Sequence, residues 1–220
     1  MRFSKHILVS ALLGMAAAPY AMAAEPTAAP TGTWYLGGGL GQSRSNTESS
    51  TAAAVVAGTG TTVTAATTGN NPTSGKLFLG YQFNKYIAAE GGFFRIGEFN
   101  FNATTTPAGT VIGNLKNTAG WNLDAVGTLP IVQDRFLLLA RLGVQSSKTS
   151  DLFVGTGAAA ALVNPAPSKN LVSYKYGAGA EFDFTKNIGV RAEWERYRVS
   201  DGISGKLNVN MVTGSLLYRF

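Results

Sequence analysis

The chain has no cysteine among its 220 residues. That excludes disulfide staples, thiol chemistry and cysteine-ligated metal sites. Its one histidine, His6, falls in an N-terminal stretch that reads as a removable leader, so a serine hydrolase or acyltransferase would lack the base it needs. Charged residues make up only 14%, against roughly 25% in ordinary soluble domains. Apolar runs of helical-span length, about 18 residues or more, are missing as well. The carboxylates of Glu193 and Glu195 could do acid/base chemistry in principle, but both belong to a crowded interior face without a cleft. The glycine pattern GGGLGQ is followed by no helix and carries no dinucleotide site. No catalytic, cofactor-binding or metal-binding set emerges. The net charge of +6 comes from dispersed Lys and Arg, which does not mark a nucleic-acid partner.

Glycine is abundant, at 27 residues, and mean hydropathy is +0.08. The first residues combine Arg2 and Lys5, an apolar run from Ile7 to Ala18, and Ala21-Met22-Ala23 as a small-residue cleavage site. Residues 1–23 therefore read as a secretory signal peptide. Its loss removes Arg2, Lys5 and His6 and lowers the basic count from 18 to 16 against 12 acids, a net charge of about +4. Residues 24–32 are rich in Pro and Ala and read as a flexible lead. Residues 33–220 read as one barrel domain.

Alternation with a period of two, the signature of a strand with two unlike faces, recurs through that domain. Eight strands are expected: Trp34–Ser45, Gly75–Phe83, Tyr86–Phe99, Thr118–Leu129, Arg135–Lys148, Leu171–Phe184, Ile188–Ser200, and a last one ending in VNMVTGSLLYRF. In the sixth, Tyr174, Tyr176, Ala178, Ala180 and Phe182 oppose Lys175, Gly177, Gly179, Glu181 and Asp183. In the last, Val212, Leu216, Tyr218 and Phe220 oppose Thr213, Ser215 and Arg219. Tight turns are expected at Asn84-Lys85 and Thr185–Asn187. Asn46–Ser74, Asn100–Asn117 and Thr149–Asn170 read as long loops, the first containing short strand fragments at Ala54–Ala57 and Thr61–Thr64 and extending a barrel hairpin. Connections that alternate long and short suit an outer-membrane barrel, with short turns on the periplasmic side.

The apolar face must meet lipid. Slipping the sixth and seventh strands by one residue would turn Lys175, Glu181, Asp183, Arg191, Glu193 and Glu195 outward. Basic groups cost roughly 2–4 kcal/mol each at the midplane and acids less. The slip would cost on the order of 10 kcal/mol, comparable to a domain's whole stability. The fold class is therefore all-β, an eight-stranded antiparallel up-and-down transmembrane β-barrel. Inward glycines make room for long charged side chains in so narrow a barrel.

The segments TWYLGGGLGQS, LGYQFNKYIAAEGGF, ARLG, YGAGAEFDFTKNIGVRAEWERY and the LLYRF ending resemble the OmpA transmembrane-domain family. The resemblance covers the barrel only, and the family's peptidoglycan-binding domain is expected to be missing. It implies a non-enzymatic protein of the cell outer membrane with no cofactor, in contact with outer-membrane lipid and lipopolysaccharide, and folded by the barrel assembly machinery. A salt-bridge gate is proposed in that family. Glu90, Glu181 and Arg191 match three of its positions, while Val126 stands where the family has a lysine.

Three groups of site residues follow. Glu90, Asp124, Arg141, Glu181, Arg191 and Glu193 form a lumenal charge network, either a plug or a narrow gated ion path. Arg95, Arg196 and Arg198 share parity with lipid-facing residues near the outer rim, where Arg suits lipopolysaccharide phosphates. Leu216, Tyr218 and Phe220 resemble the C-terminal assembly signal of such barrels. The functional readings are an envelope-structural or surface-interaction protein, a low-conductance pore, or an adhesin binding a host or surface ligand through its long loops.

Overall fold

The computed structural model describes residues 32–45, 62–68, 71–106, 109–132, 135–157, 168–200 and 206–220. The expected signal peptide, all of the lead except Gly32, and the fragment at 54–57 lie outside the described residues. Gly32 adopts φ +71°, a conformation open to glycine, just before the first strand.

Ten strands form: β1 (Thr33–Ser45), β2 (Thr62–Thr68), β3 (Thr73–Asn84), β4 (Ile87–Ile96), β5 (Phe99–Thr106), β6 (Gly109–Val132), β7 (Phe136–Gly157), β8 (Ser168–Asp183), β9 (Ile188–Ser200) and β10 (Lys206–Arg219). Eight of them close a ring in the order β6-β4-β3-β1-β10-β9-β8-β7, sealed by β6–β7 pairing. Closure is the only way a sheet satisfies its backbone groups inside lipid. Every recorded pairing is antiparallel.

The short connections are built by side chains suited to turns. Asn84 Oδ1 accepts hydrogen bonds from the backbone N–H of Tyr86 and Ile87, at 2.8 and 3.0 Å. Thr185 Oγ1 accepts from Asn187 and Ile188 at 3.2 and 2.9 Å. These turns set the register of the strands rising from them.

Two long loops of the sequence reading are largely strand. The expected third strand breaks at Gly97 and Glu98, and β5 follows β4 along the same partner, β6. β6 starts at Gly109 and β7 runs on to Gly157, paired with each other over that extra length. β2 pairs with β5 just as β3 pairs with β4. The barrel hairpin is thus extended on the β3 side, and no β1–β2 pairing occurs among the described residues. Thr, Ala, Gly and Asn fill much of these stretches, which leaves little alternation of hydrophobic and polar residues to mark a strand.

Side-chain parity holds around the ring. Leu216 is 61% exposed and its neighbour Leu217 1%, although the two residues are chemically identical. Leu36, Leu79, Leu123, Leu138 and Ile188 face outward, with Trp34, Phe83, Phe184, Tyr218 and Phe220 toward the short-turn end. Inside, glycines leave space for particular rings. A Cβ on Gly37 would overlap the Phe78 ring, and one on Gly80 the Tyr35 ring. Gly214 faces open space on the outer wall, where a Cβ meets nothing within 4 Å.

This difference predicts that Gly80→Leu abolishes the folded, heat-modifiable band of the unboiled protein on a detergent gel, whereas Gly214→Ala leaves it intact. Equal bands for both would contradict the packing described.

Candidate functional site

The lumen is where this chain concentrates its charge. Among the described residues the buried ionisable set is Glu90, Asp124, Glu181, Asp183, Glu193 and Glu195 against Lys76, Arg141, Lys175, Arg191 and Arg219, six acids to five bases. Burying charges without partners is prohibitive, and the arrangement answers that cost by pairing.

Arg141 on β7 is the hub. Glu90 on β4 and Asp124 on β6 sit directly opposite each other in the register, a like-charge pair that would repel. The Arg141 guanidinium joins them, with Nη2 2.8 Å from Glu90 Oε2 and Nη1 3.1 Å from Asp124 Oδ2. The same fork meets Glu195 Oε1 at 3.1 Å and also contacts Glu193. Glycine again makes the room, since a Cβ on Gly143 would overlap the Asp124 carboxylate. Two lysines complete the central group. Lys175 Nζ lies 2.8 Å from Asp124 and 2.7 Å from Glu195. Lys76 lies 2.9 Å from Glu195 and also pairs with Glu193.

Arg191 links this group to a second one nearer the short-turn end. Its Nη1 is 2.5 Å from Glu90 and its Nε 2.7 Å from Glu181, a residue directly opposite it in the register. Glu90 also accepts a hydrogen bond from the Tyr35 hydroxyl at 2.7 Å. Below, Arg219 binds Asp183 at 2.6 Å and also pairs with Glu181.

The lumen is not polar throughout, and here the structure corrects a picture of charges and glycines alone. Tyr35, Phe78, Ala88, Val126, Leu139 and Leu217 pack together inside. The Arg191 guanidinium stacks over the Phe78 and Tyr35 rings at 5.2 and 5.7 Å. Toward the outer end, Phe94, Ile96, Tyr197, Val199, Val209 and Met211 form a second cluster. The central ions lie between these two clusters.

Glu90, Asp124, Arg141, Glu181, Arg191 and Glu193 are all buried among these ion pairs. Lys76, Lys175, Asp183, Glu195 and Arg219 join the network beyond the six expected residues. The parity of Leu77, Tyr174, Phe182, Trp194 and Tyr218 assigns each of them inward, so the signal was present. Val126, standing where the resembled family has lysine, is buried in the inner apolar cluster, and the second cation on Glu90 comes instead from Arg141.

The three outward arginines do not form one patch. Arg95 is on β4, opposite Gly75 and Ala119. Arg196 and Arg198 are on β9, on another wall of the ring. Arg196 Nε donates to Asn210 Oδ1 at 2.7 Å, and its guanidinium lies 5.4 Å from the Trp194 ring. Arg198 Nη1 donates to the Tyr174 hydroxyl at 3.1 Å. Tyr174, Tyr176, Arg196, Arg198 and Asn208 line a small outward recess of about 140 Å³. Leu216, Tyr218 and Phe220 share the outer face of the last strand, with the Tyr218 and Phe220 rings stacked at 6.4 Å.

Removing the hub leaves four carboxylates facing one another, so Arg141→Leu should destabilise the barrel by at least about 3–5 kcal/mol. Adding Glu193→Gln should recover part of the loss, since it restores the balance of charge and leaves Lys76 and Lys175 paired with Glu195. Urea unfolding of the vesicle-inserted protein measures both, and an unchanged midpoint for Arg141→Leu would contradict the role given to it.

A protein of Coxiella burnetii (strain RSA 493 / Nine Mile phase I), described as uncharacterized, is 29% identical over 171 residues, 67% of this chain and 68% of that protein. Among solved structures, the outer membrane protein OprG from Pseudomonas aeruginosa superposes with a TM-score of 0.50 at 11% identity, covering 88% of this chain and 98% of that one. Ail, the attachment invasion locus protein of Yersinia pestis, gives 0.49 at 17% identity over 87% of this chain and 100% of its own. The model of the outer membrane protein beta-barrel domain matches residues 7–220. The chain belongs to the family of outer membrane protein beta-barrel domains, and it resides in the cell outer membrane.

Proposed function

We propose that the protein is a non-enzymatic structural barrel of the cell envelope that carries a β-sheet beyond the outer leaflet for contact with ligands at the cell surface. The observation that carries this reading is the filled lumen. Glu90 is held by Arg141 and Arg191 at once, and the ions around it lie between two apolar clusters. A gate needs a second arrangement of similar energy. With both cations already on Glu90, re-pairing would leave a buried carboxylate short of a partner, which is costly.

The surface role is supported by the extension. β2, β5 and the outer parts of β6 and β7 form a four-stranded sheet continuing past the ring. A rigid projecting sheet is a better platform for a partner than loose loops, because less ordering is needed on binding.

Three further assignments complete the reading. Residues 1–23 direct export and are removed. Leu216, Tyr218 and Phe220 present the assembly machinery with an aromatic outer face at the end of β10. Arg196 and Arg198 contact lipopolysaccharide phosphate groups, their guanidinium groups preset by Asn210 and Tyr174; planar forked donors suit that anion.

In planar bilayers the purified barrel is expected to show no conductance steps across applied voltages, and stepwise currents would favour the pore reading instead. Deleting residues 99–117 should abolish binding to cells or matrix while leaving the heat-modifiable band; unchanged binding would remove the surface role.

A further inference from the structure

The lipid-facing wall is uneven. On β1, β3 and β10, Gly38, Gly75 and Gly214 occupy outward positions, and they border a hollow of about 690 Å³. The register explains its shape. Gly38 lies between Leu77 and Leu216, Gly75 between Leu40 and Arg95, and Gly214 between Leu40 and Ala192. Large and absent side chains therefore alternate across four strands. Leu40, with Gly75 and Gly214 on either side, stands proud of the wall at 72% exposed, and Phe93, which also lines the hollow, is equally exposed.

One end of the hollow is charged. Arg95 lines it, two residue pairs beyond the Phe93–Trp121 pair. Nine residues separate the start of β4 from Arg95 inclusive, and a tilted strand needs about 9–11 to cross the hydrocarbon. Arg95 therefore sits at the headgroup level of the outer leaflet, opposite Gly75 and Ala119 in the register.

We propose that this hollow seats the acyl chains of a phosphorylated, multiply acylated outer-leaflet lipid of the lipid A class, with Arg95 taking one of its phosphates. The occupant follows from three constraints. The surrounding solvent is acyl chain, so an apolar depression there fills with hydrocarbon. Four neighbouring strands at about 4.8 Å spacing make the hollow about 14 Å across, wide enough for more than one chain. Arg95 on its rim is cationic, forked and exposed, matched to phosphate. The seat is separate from the Arg196–Arg198 recess, which opens between β8, β9 and β10.

The test uses the full-length mature protein in mild detergent, with Arg196→Gln/Arg198→Gln as the background so that only this seat is read. Native mass spectrometry would count retained lipid during titration with lipid A, dephosphorylated lipid A and phosphatidylethanolamine. The expected result is preferential retention of lipid A. Arg95→Gln should reduce it about ten-fold, to the level of the dephosphorylated lipid. Gly214→Leu fills the hollow without a clash, since its Cβ meets nothing within 4 Å, and should remove retention while keeping the heat-modifiable band. Equal retention by Gly214→Leu and its parent, or equal retention of lipid A and phosphatidylethanolamine, would overturn the proposal. Loss of all lipid A retention in the Arg196→Gln/Arg198→Gln background would likewise overturn it.

Discussion

Arg141 holds together four carboxylates that would otherwise repel one another in a space too narrow for bulk water. Much of the interior is arranged to permit that contact. Gly143 leaves the Asp124 carboxylate its place, and Gly177 and Gly179 lie against the Glu195 and Glu193 side chains. Arg191 then carries the pairing through an apolar ring of Tyr35 and Phe78 to Glu181. The lattice fixes the strand register as firmly as the lipid does, because a slip by one residue would expose its charges to hydrocarbon and bring leucines inward.

The parity of the spanning strands was fully legible. A period-two pattern is imposed by lipid on one side and a crowded lumen on the other, and it survives even where Leu216 and Leu217 are adjacent. The turn chemistry of Asn84 and Thr185 was legible for the same reason: a local side-chain hydrogen bond needs no tertiary context. What escaped was the outer sheet. Thr62–Thr68 and Phe99–Thr106 pair across segments distant in sequence, and their Thr-rich stretches carry too short an alternation to mark a strand.

The site was legible as a set of inward charges but not as a set of partners. Lys76 lies on β3 and its acids on β9, strands that meet only across the lumen. Which cation reaches which acid depends on side-chain length and on where glycine withdraws the wall, and single-strand patterns do not carry that information. The apolar clusters were hidden because Leu139 and Leu217 belong to stretches of mostly apolar residues, in which parity alone distinguishes lumen from lipid.

The same economy of side chains shapes both surfaces of the wall. Inside, glycine admits rings and guanidinium groups; outside, at Gly38, Gly75 and Gly214, it leaves a hollow beside Arg95. The most direct check on the underlying claim, lipid outside and paired ions within, is the pattern of nuclear Overhauser effects between acyl-chain protons and leucine methyls in a lipid nanodisc. Leu138 and Leu216 should show them, while Leu139 and Leu217 should not. The opposite pattern, or equal contacts for both members of each pair, would contradict the account.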